Sequence, residues 1–134
     1  MLGHVEAAQW RANMLERLER SKDFASAARA FDGSLVLTVD SSSTWFKIYA
    51  GRVIDAMPGK GLFGFTFEVS APAAVWKEAF AGPSVALQKL LAQRKVDVSG
   101  NLLEFMRMAK AVDLFVEVLR EEYREATQGA AYVR

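Results

Sequence analysis

The chain has 134 residues, 51% hydrophobic and 25% charged, and its 17 basic and 16 acidic side chains leave a formal net charge of +1. This is one domain's worth of chain, residues 1–134, long enough to bury a core without staples. Its charge balance excludes retention of nucleic acid by counterion release. With no cysteine, disulfide and thiolate chemistry are excluded, and a reducing, cytoplasmic setting is expected. The start, Met1-Leu2-Gly3-His4-Val5-Glu6, has no basic residues followed by an apolar run, so no signal peptide is expected. No stretch approaches the ~18 apolar residues of a membrane helix.

Residues 5–20 read as an amphipathic helix with Val5, Ala8, Ala12, Leu15 and Leu18 as its apolar stripe. Its charges alternate in sign, unlike those of a basic membrane-surface helix. Ser21 is a cap for a second short helix over 22–30, where Phe24, Ala27, Ala28 and Phe31 recur at helical spacing and Asp32-Gly33 stops the run. The period then changes. Residues 35–39 alternate as a strand, Asp40-Ser41-Ser42-Ser43 is a turn, and 44–50 and 52–57 are two more strands separated at Gly51. After Pro58-Gly59-Lys60-Gly61, another turn, Phe63, Phe65, Phe67 and Val69 alternate with Gly64, Thr66, Glu68 and Ser70. That is the cleanest two-residue period in the chain, and it predicts a fourth strand with one buried face. Tight connections among these four strands predict an antiparallel meander.

Pro72 falls in the first turn of the next helix, whose apolar side is Val75, Trp76, Ala79 and Phe80. A helix through about residue 93 follows Gly82-Pro83-Ser84, then a short fifth strand over 95–99 that must reach the sheet by a helical crossover. Asn101 with Glu104 three residues on forms a capping-box pattern opening a terminal helix that runs to about Thr127. The fold class is therefore α+β, in the order ααββββααβα, with a five-stranded, mainly antiparallel sheet.

Little in the sequence points to catalysis. Gly59, Gly61 and Gly64 spell G-x-G-x-x-G, but the motif leads into a strand, whereas a dinucleotide site requires it to open a helix. A glycine turn accounts for it. His4 is the only histidine, which excludes a His-based triad or a multi-histidine metal site. The acids Asp40, Asp55, Glu68, Asp97 and Asp113 are scattered along the chain. Solvation is the default reading of each, and no pair can be brought to one substrate atom from sequence alone. No metal or other cofactor is expected.

The aromatic residues cluster in strands two and four and the helix after them, without the interleaved Lys and Arg of a nucleic-acid-binding sheet. The terminal helix carries a stripe of Leu102, Phe105, Ala109, Val112, Val116 and Leu119, widened by Leu103, Met106, Met108, Leu114, Phe115 and Val118. A helix lying on a sheet needs an apolar arc of roughly 100°, so the excess calls for another protein surface, a second subunit or a ligand. Methionines suit a compliant apolar wall.

The ordered run 35–39, 46–51, 63–71, Trp76, Gly82, 90–93 and Val96-Asp97-Val98-Ser99-Gly100-Asn101 resembles the sterol-carrier-protein (sterol-binding) domain. In that family a strand steps through Gly-Asp or Gly-Asn into the terminal helix. The resemblance covers about residues 10–120. It implies a five-stranded sheet with helices on one face, an apolar tunnel between them, and non-catalytic binding or transfer of a fatty acid, acyl-CoA, sterol-like lipid or other apolar small molecule. It implies a lining of Leu37, Val39, Phe46, Ile48, Phe65, Phe67, Trp76, Leu90, Val98, Phe105, Met106 and Val112. Membrane contact is expected to be transient at most. The C-terminus, Ala130-Ala131-Tyr132-Val133-Arg134, is not the peroxisomal Ser-Lys-Leu type. The alternative is a homodimeric accessory subunit that uses the long C-terminal helix as an interface and holds no ligand.

Overall fold

The computed structural model describes residues 7–133, with side chains over 8–127; the expectations for His4 and Val5 lie outside the described residues. The elements run α1 (Ala7–Arg20), α2 (Lys22–Ala27), β1 (Asp32–Val39), β2 (Ser42–Tyr49), β3 (Arg52–Pro58), β4 (Phe67–Ala71), α3 (Ala73–Phe80), α4 (Leu87–Ala92), β5 (Asp97–Gly100), α5 (Leu102–Arg107) and α6 (Ala109–Val133). The sheet order is β3-β2-β1-β4-β5. Three pairs are antiparallel and β1–β4 is parallel, so the α+β class with a mainly antiparallel five-stranded sheet holds.

The four-strand meander does not. Only β1, β2 and β3 form it; β4 joins the far side of β1 in parallel register, Leu35 opposite Phe67 and Val39 opposite Ala71. To get there from β3 the chain must cross the sheet, and residues 59–66 are spent on the crossing. This is why the predicted strand over 63–69 begins only at Phe67 and why Phe63 is fully exposed, at 101%. The alternation of Phe63 and Phe65 is not a ladder pattern; parallel pairing demands a crossover that an antiparallel hairpin does not. Gly59, Gly61 and Gly64 all have positive φ in this connection. A Cβ on Gly61 would lie 2.7 Å from Trp45 Nε1, so that position requires glycine twice over.

The crossing segment covers the sheet face opposite the helices. Trp45 Nε1 donates to the Gly64 carbonyl at 3.2 Å. Ser34 N donates to Thr66 Oγ1 at 3.0 Å, Thr66 N to the Ser34 carbonyl at 3.0 Å, and Asn101 N to the Thr66 carbonyl at 2.8 Å. Below it, Glu68 is buried and accepts from Thr38 Oγ1 at 2.5 Å, with Lys60 Nζ at 3.2 Å. β1, covered on both faces, is therefore buried from Ser34 to Val39.

On the other face Leu35, Leu37 and Val39, Phe46 and Ile48, and Phe67 and Val69 join one cluster with the apolar sides of the helices. Within α1 the buried residues are Met14 and Leu18, with Trp10 packed against the cluster, while Ala8 and Ala12 are exposed. The bulkier i, i+4, i+8 row wins over the alanines because burial scales with apolar area. Three further boundaries shift. Asp32 and Gly33 are the first residues of β1 rather than a stop; the turn after β1 shrinks to Asp40 and Ser41, with Asp40 at φ 55°; and β5 is displaced to 97–100.

The terminal helix is two helices. Asn101 Oδ1 accepts from Glu104 N at 3.0 Å, the expected N-cap, but α5 ends at Met108 (φ −99°, ψ 17°) and α6 starts afresh. Its excess apolar width is largely met within the chain: α1, α2 and α3 all pack on α6, burying Phe115, Val116, Val118 and Leu119. Arg120 and Glu117 on α6 also hold the loop after α3, through Arg120 Nη2 to the Gly82 carbonyl at 2.6 Å and Val85 N to Glu117 Oε2 at 2.7 Å.

Candidate functional site

Two runs of aromatic rings cross the space between sheet and helices. One passes from Trp10 of α1 to Phe46 of β2 (6.1 Å between centroids), Phe115 of α6 (5.0 Å) and Phe24 of α2 (6.3 Å). The other joins Phe31, Phe67 of β4 (5.7 Å) and Phe105 of α5 (5.4 Å). The rings come from different elements, with Phe31 in the link between α2 and β1, and all five pairs are tilted or edge-on, the arrangement that the ring quadrupole favours.

Where Phe24 of the first run faces Phe31 and Phe67 of the second there is a void of about 10 Å³, completed by Ala28, Leu35, Ile48, Met108, Ala111 and Val112. That is about the space of one water molecule, and its lining is wholly apolar. The side chains around this void are thus closely packed.

The twelve residues expected to line a tunnel distribute as follows. Ile48, Phe67 and Val112 face the void. Leu37, Val39, Phe46, Trp76 and Phe105 are buried in the same cluster, and Leu90 and Val98 pack against it. Phe65 is half-buried, near the position a Cβ of Gly100 would occupy. Met106 is 70% exposed on α5, and the methionine that faces the void is Met108. Phe24, Ala28, Phe31, Leu35 and Ala111 also line it, and the sequence-based lining omits them. The helical spacing of the first three and the alternation of Leu35 with Leu37 are the signals that point to them. Met106 and Met108 cannot be told apart from sequence, because the break between α5 and α6 changes which side of the chain faces inward.

Among the described residues, large apolar side chains remain exposed in three places: Tyr49, Ile54 and Met57 on β2 and β3, Leu62 and Phe63 on the crossing segment, and Leu102, Leu103 and Met106 on α5, where Leu103 is 72% exposed.

The ionisable groups lie around this interior. Arg17 of α1 donates to Glu122 Oε1 at 2.7 Å and to Glu125 Oε1 at 2.5 Å on α6, and Asn13 Nδ2 adds a bond to Glu122 Oε2 at 3.0 Å. Burial draws the Arg17 pKa down, but its bonds to Glu125 and Glu122 outweigh this and leave it raised. Asp40 Oδ1 accepts from Ala73 N at 2.9 Å at the start of α3, and Asp55 Oδ1 from Ala56 N at 2.8 Å. Asp97 is exposed. Burial raises the Asp113 carboxyl, partly opposed by Lys110. Among the described residues no three His, Cys, Asp or Glu side chains gather where a metal could sit.

No family model matches the sequence, and no curated protein matches it. Solved structures do match, and they define the fold as that of the sterol-carrier-protein domain. The chain is similar to the crystal structure of sterol carrier protein 2, with a TM-score of 0.74 at 22% identity over 88% of this chain and 98% of that one. It is similar to a conserved hypothetical protein from Thermus thermophilus, with a TM-score of 0.71 at 22% identity over 90% of each chain. It also matches a UbiJ-SCP2 ubiquinone synthesis protein, with a TM-score of 0.60 at 19% identity over 85% of this chain and 89% of that one.

Proposed function

We propose that this domain binds a lipid or other apolar small molecule, without catalysis, in the space between the sheet and the helices. The observation that carries the reading is the wholly apolar void at the meeting of the two aromatic runs, inside a fold shared with sterol carrier protein 2. A ligand enters by parting side chains rather than by filling an open tube. The wall is suited to this: α2 and α5 are each six residues long, and Met108 is an adaptable side chain. Ten ligand methylenes gain about 8 kcal/mol on leaving water. Parting the core and the association itself take a large share of that, so micromolar binding is expected. Contact with a membrane would be transient and limited to loading; among the described residues no helix is long and apolar enough to cross one.

Native mass spectrometry of gently purified protein, followed by solvent extraction, tests the reading. A co-purified apolar molecule supports it and names its class. A ligand-free protein that also takes up no lipid from vesicles overturns it. Two observations favour a second reading, an accessory subunit without a ligand: Leu102, Leu103 and Met106 stand exposed together on α5, and one similar structure is named for ubiquinone synthesis. A concentration-dependent dimer, or a stoichiometric protein partner, in the absence of ligand would favour that reading.

A further inference from the structure

Among the described residues the interior has one polar loose end. Among the described residues, Trp10 Nε1 is the buried side-chain nitrogen or oxygen that meets no hydrogen-bond partner. An indole N–H is a donor only and has no other way to be satisfied, and leaving it unpaired away from water is costly. The ring it belongs to is the first of the run through Phe46 and Phe115 to Phe24, whose side chain lines the void. The donor therefore stands at one end of an aromatic path whose other end is the internal space.

We propose that the Trp10 N–H is the polar anchor of the ligand site, donating to an uncharged oxygen, such as an ester, ketone or quinone carbonyl, on an otherwise apolar molecule. This rests on the ligand-binding reading above and narrows it. The acceptor is uncharged because, among the described residues, the interior has no cation to offer. The buried charged side chains are Glu68, on the opposite face of the sheet, and Glu122, already bound to Arg17 and Asn13. An ionised carboxylate drawn in beside Trp10 would lose its water with only one neutral donor in exchange. Arg17, two turns further along α1, is held by Glu122 and Glu125.

The test uses three probes of one chain length: methyl laurate, dodecane and laurate. The protein's three tryptophans give three indole N–H signals in a nitrogen-15 spectrum, and the Trp10→Phe variant identifies that of Trp10. Methyl laurate should move the Trp10 indole proton downfield while dodecane does not. Trp10→Phe should weaken methyl laurate about tenfold and leave dodecane unchanged. Laurate at neutral pH should bind at least about tenfold more weakly than its ester. If ester and hydrocarbon both bind without the downfield shift, or the variant weakens both equally, Trp10 acts by shape alone and the anchor is refuted while the carrier reading stands. Laurate binding as tightly as the ester would refute the uncharged acceptor. If none of the three binds, the carrier reading itself falls. Should Trp10→Phe fail to fold, sequential backbone and side-chain assignment identifies the Trp10 signal and the shift in the unaltered protein still decides.

Discussion

Replacing Phe115 by alanine attacks the interior where the structure makes it most continuous. The ring is buried, stands 5.0 Å from Phe46 and 6.3 Å from Phe24, and ties α6 to both the sheet and α2. The existing void is only about 10 Å³ and lies beside Phe24, so the neighbouring side chains have little slack with which to collapse into the space left behind. A loss of about 3–5 kcal/mol in unfolding free energy follows from the lost transfer energy and the residual cavity. Urea denaturation followed by circular dichroism measures it, with the midpoint moving and the slope unchanged. The cavity created is apolar and of a size that takes up small apolar molecules. Benzene at about one hundred times its dissociation constant should then return about 2.7 kcal/mol to the variant and almost nothing to the unaltered protein. A loss below about 1 kcal/mol would refute the reasoning. It would mean that the interior is already loose enough to re-form around a missing ring.

Two further outcomes follow from the ionisable groups. Arg17→Met leaves the Glu122 carboxylate, 7% exposed, with only Asn13 for a partner, and should destabilise by about 2 kcal/mol. Adding Glu122→Gln should recover most of it, which a double-mutant cycle in urea measures; equal and additive losses would show that the pair is not coupled. Asp113 has a raised pKa from burial, with Lys110 opposing. Its folded form therefore holds the proton more tightly than the unfolded chain. That contribution is complete below the unfolded value and is lost as pH rises through the folded one. Asp113→Asn should accordingly gain about 0.5 kcal/mol or less at neutral pH, after allowance for solvent screening, and nothing in acid; a gain that grows in acid would reverse the argument.

The parts of the fold legible in the sequence are those in which a local pattern and its tertiary use coincide. The alternation through Leu35, Leu37 and Val39 is a strand with its apolar side inward, Ser21 and Asn101 are N-caps as their spacing demands, and Trp76 and Phe80 face the core from one side of α3. Gly100-Asn101 marks the step from β5 into α5. Phe63 and Phe65 mislead because their two-residue period is read as though it had a neighbouring strand to pair with. A strand's period says which side chains share a face and nothing about which strand lies alongside. Partner choice here depends on a contact between residues 35–39 and 67–71, distant in sequence.

The candidate site divides in the same way. Apolar identity at Ile48, Phe67 and Val112 is written in their patterns, and all three reach the void. Local pattern is enough to specify an α+β domain with an apolar interior, because periodicity, capping and composition are properties of neighbouring residues. It does not specify that β4 runs parallel to β1, that the helix breaks at Met108 so that this methionine faces inward while Met106 faces out, or that the Trp10 N–H is enclosed without a partner. Each of these depends on elements far apart in the chain meeting in space, and no run of adjacent residues records such meetings.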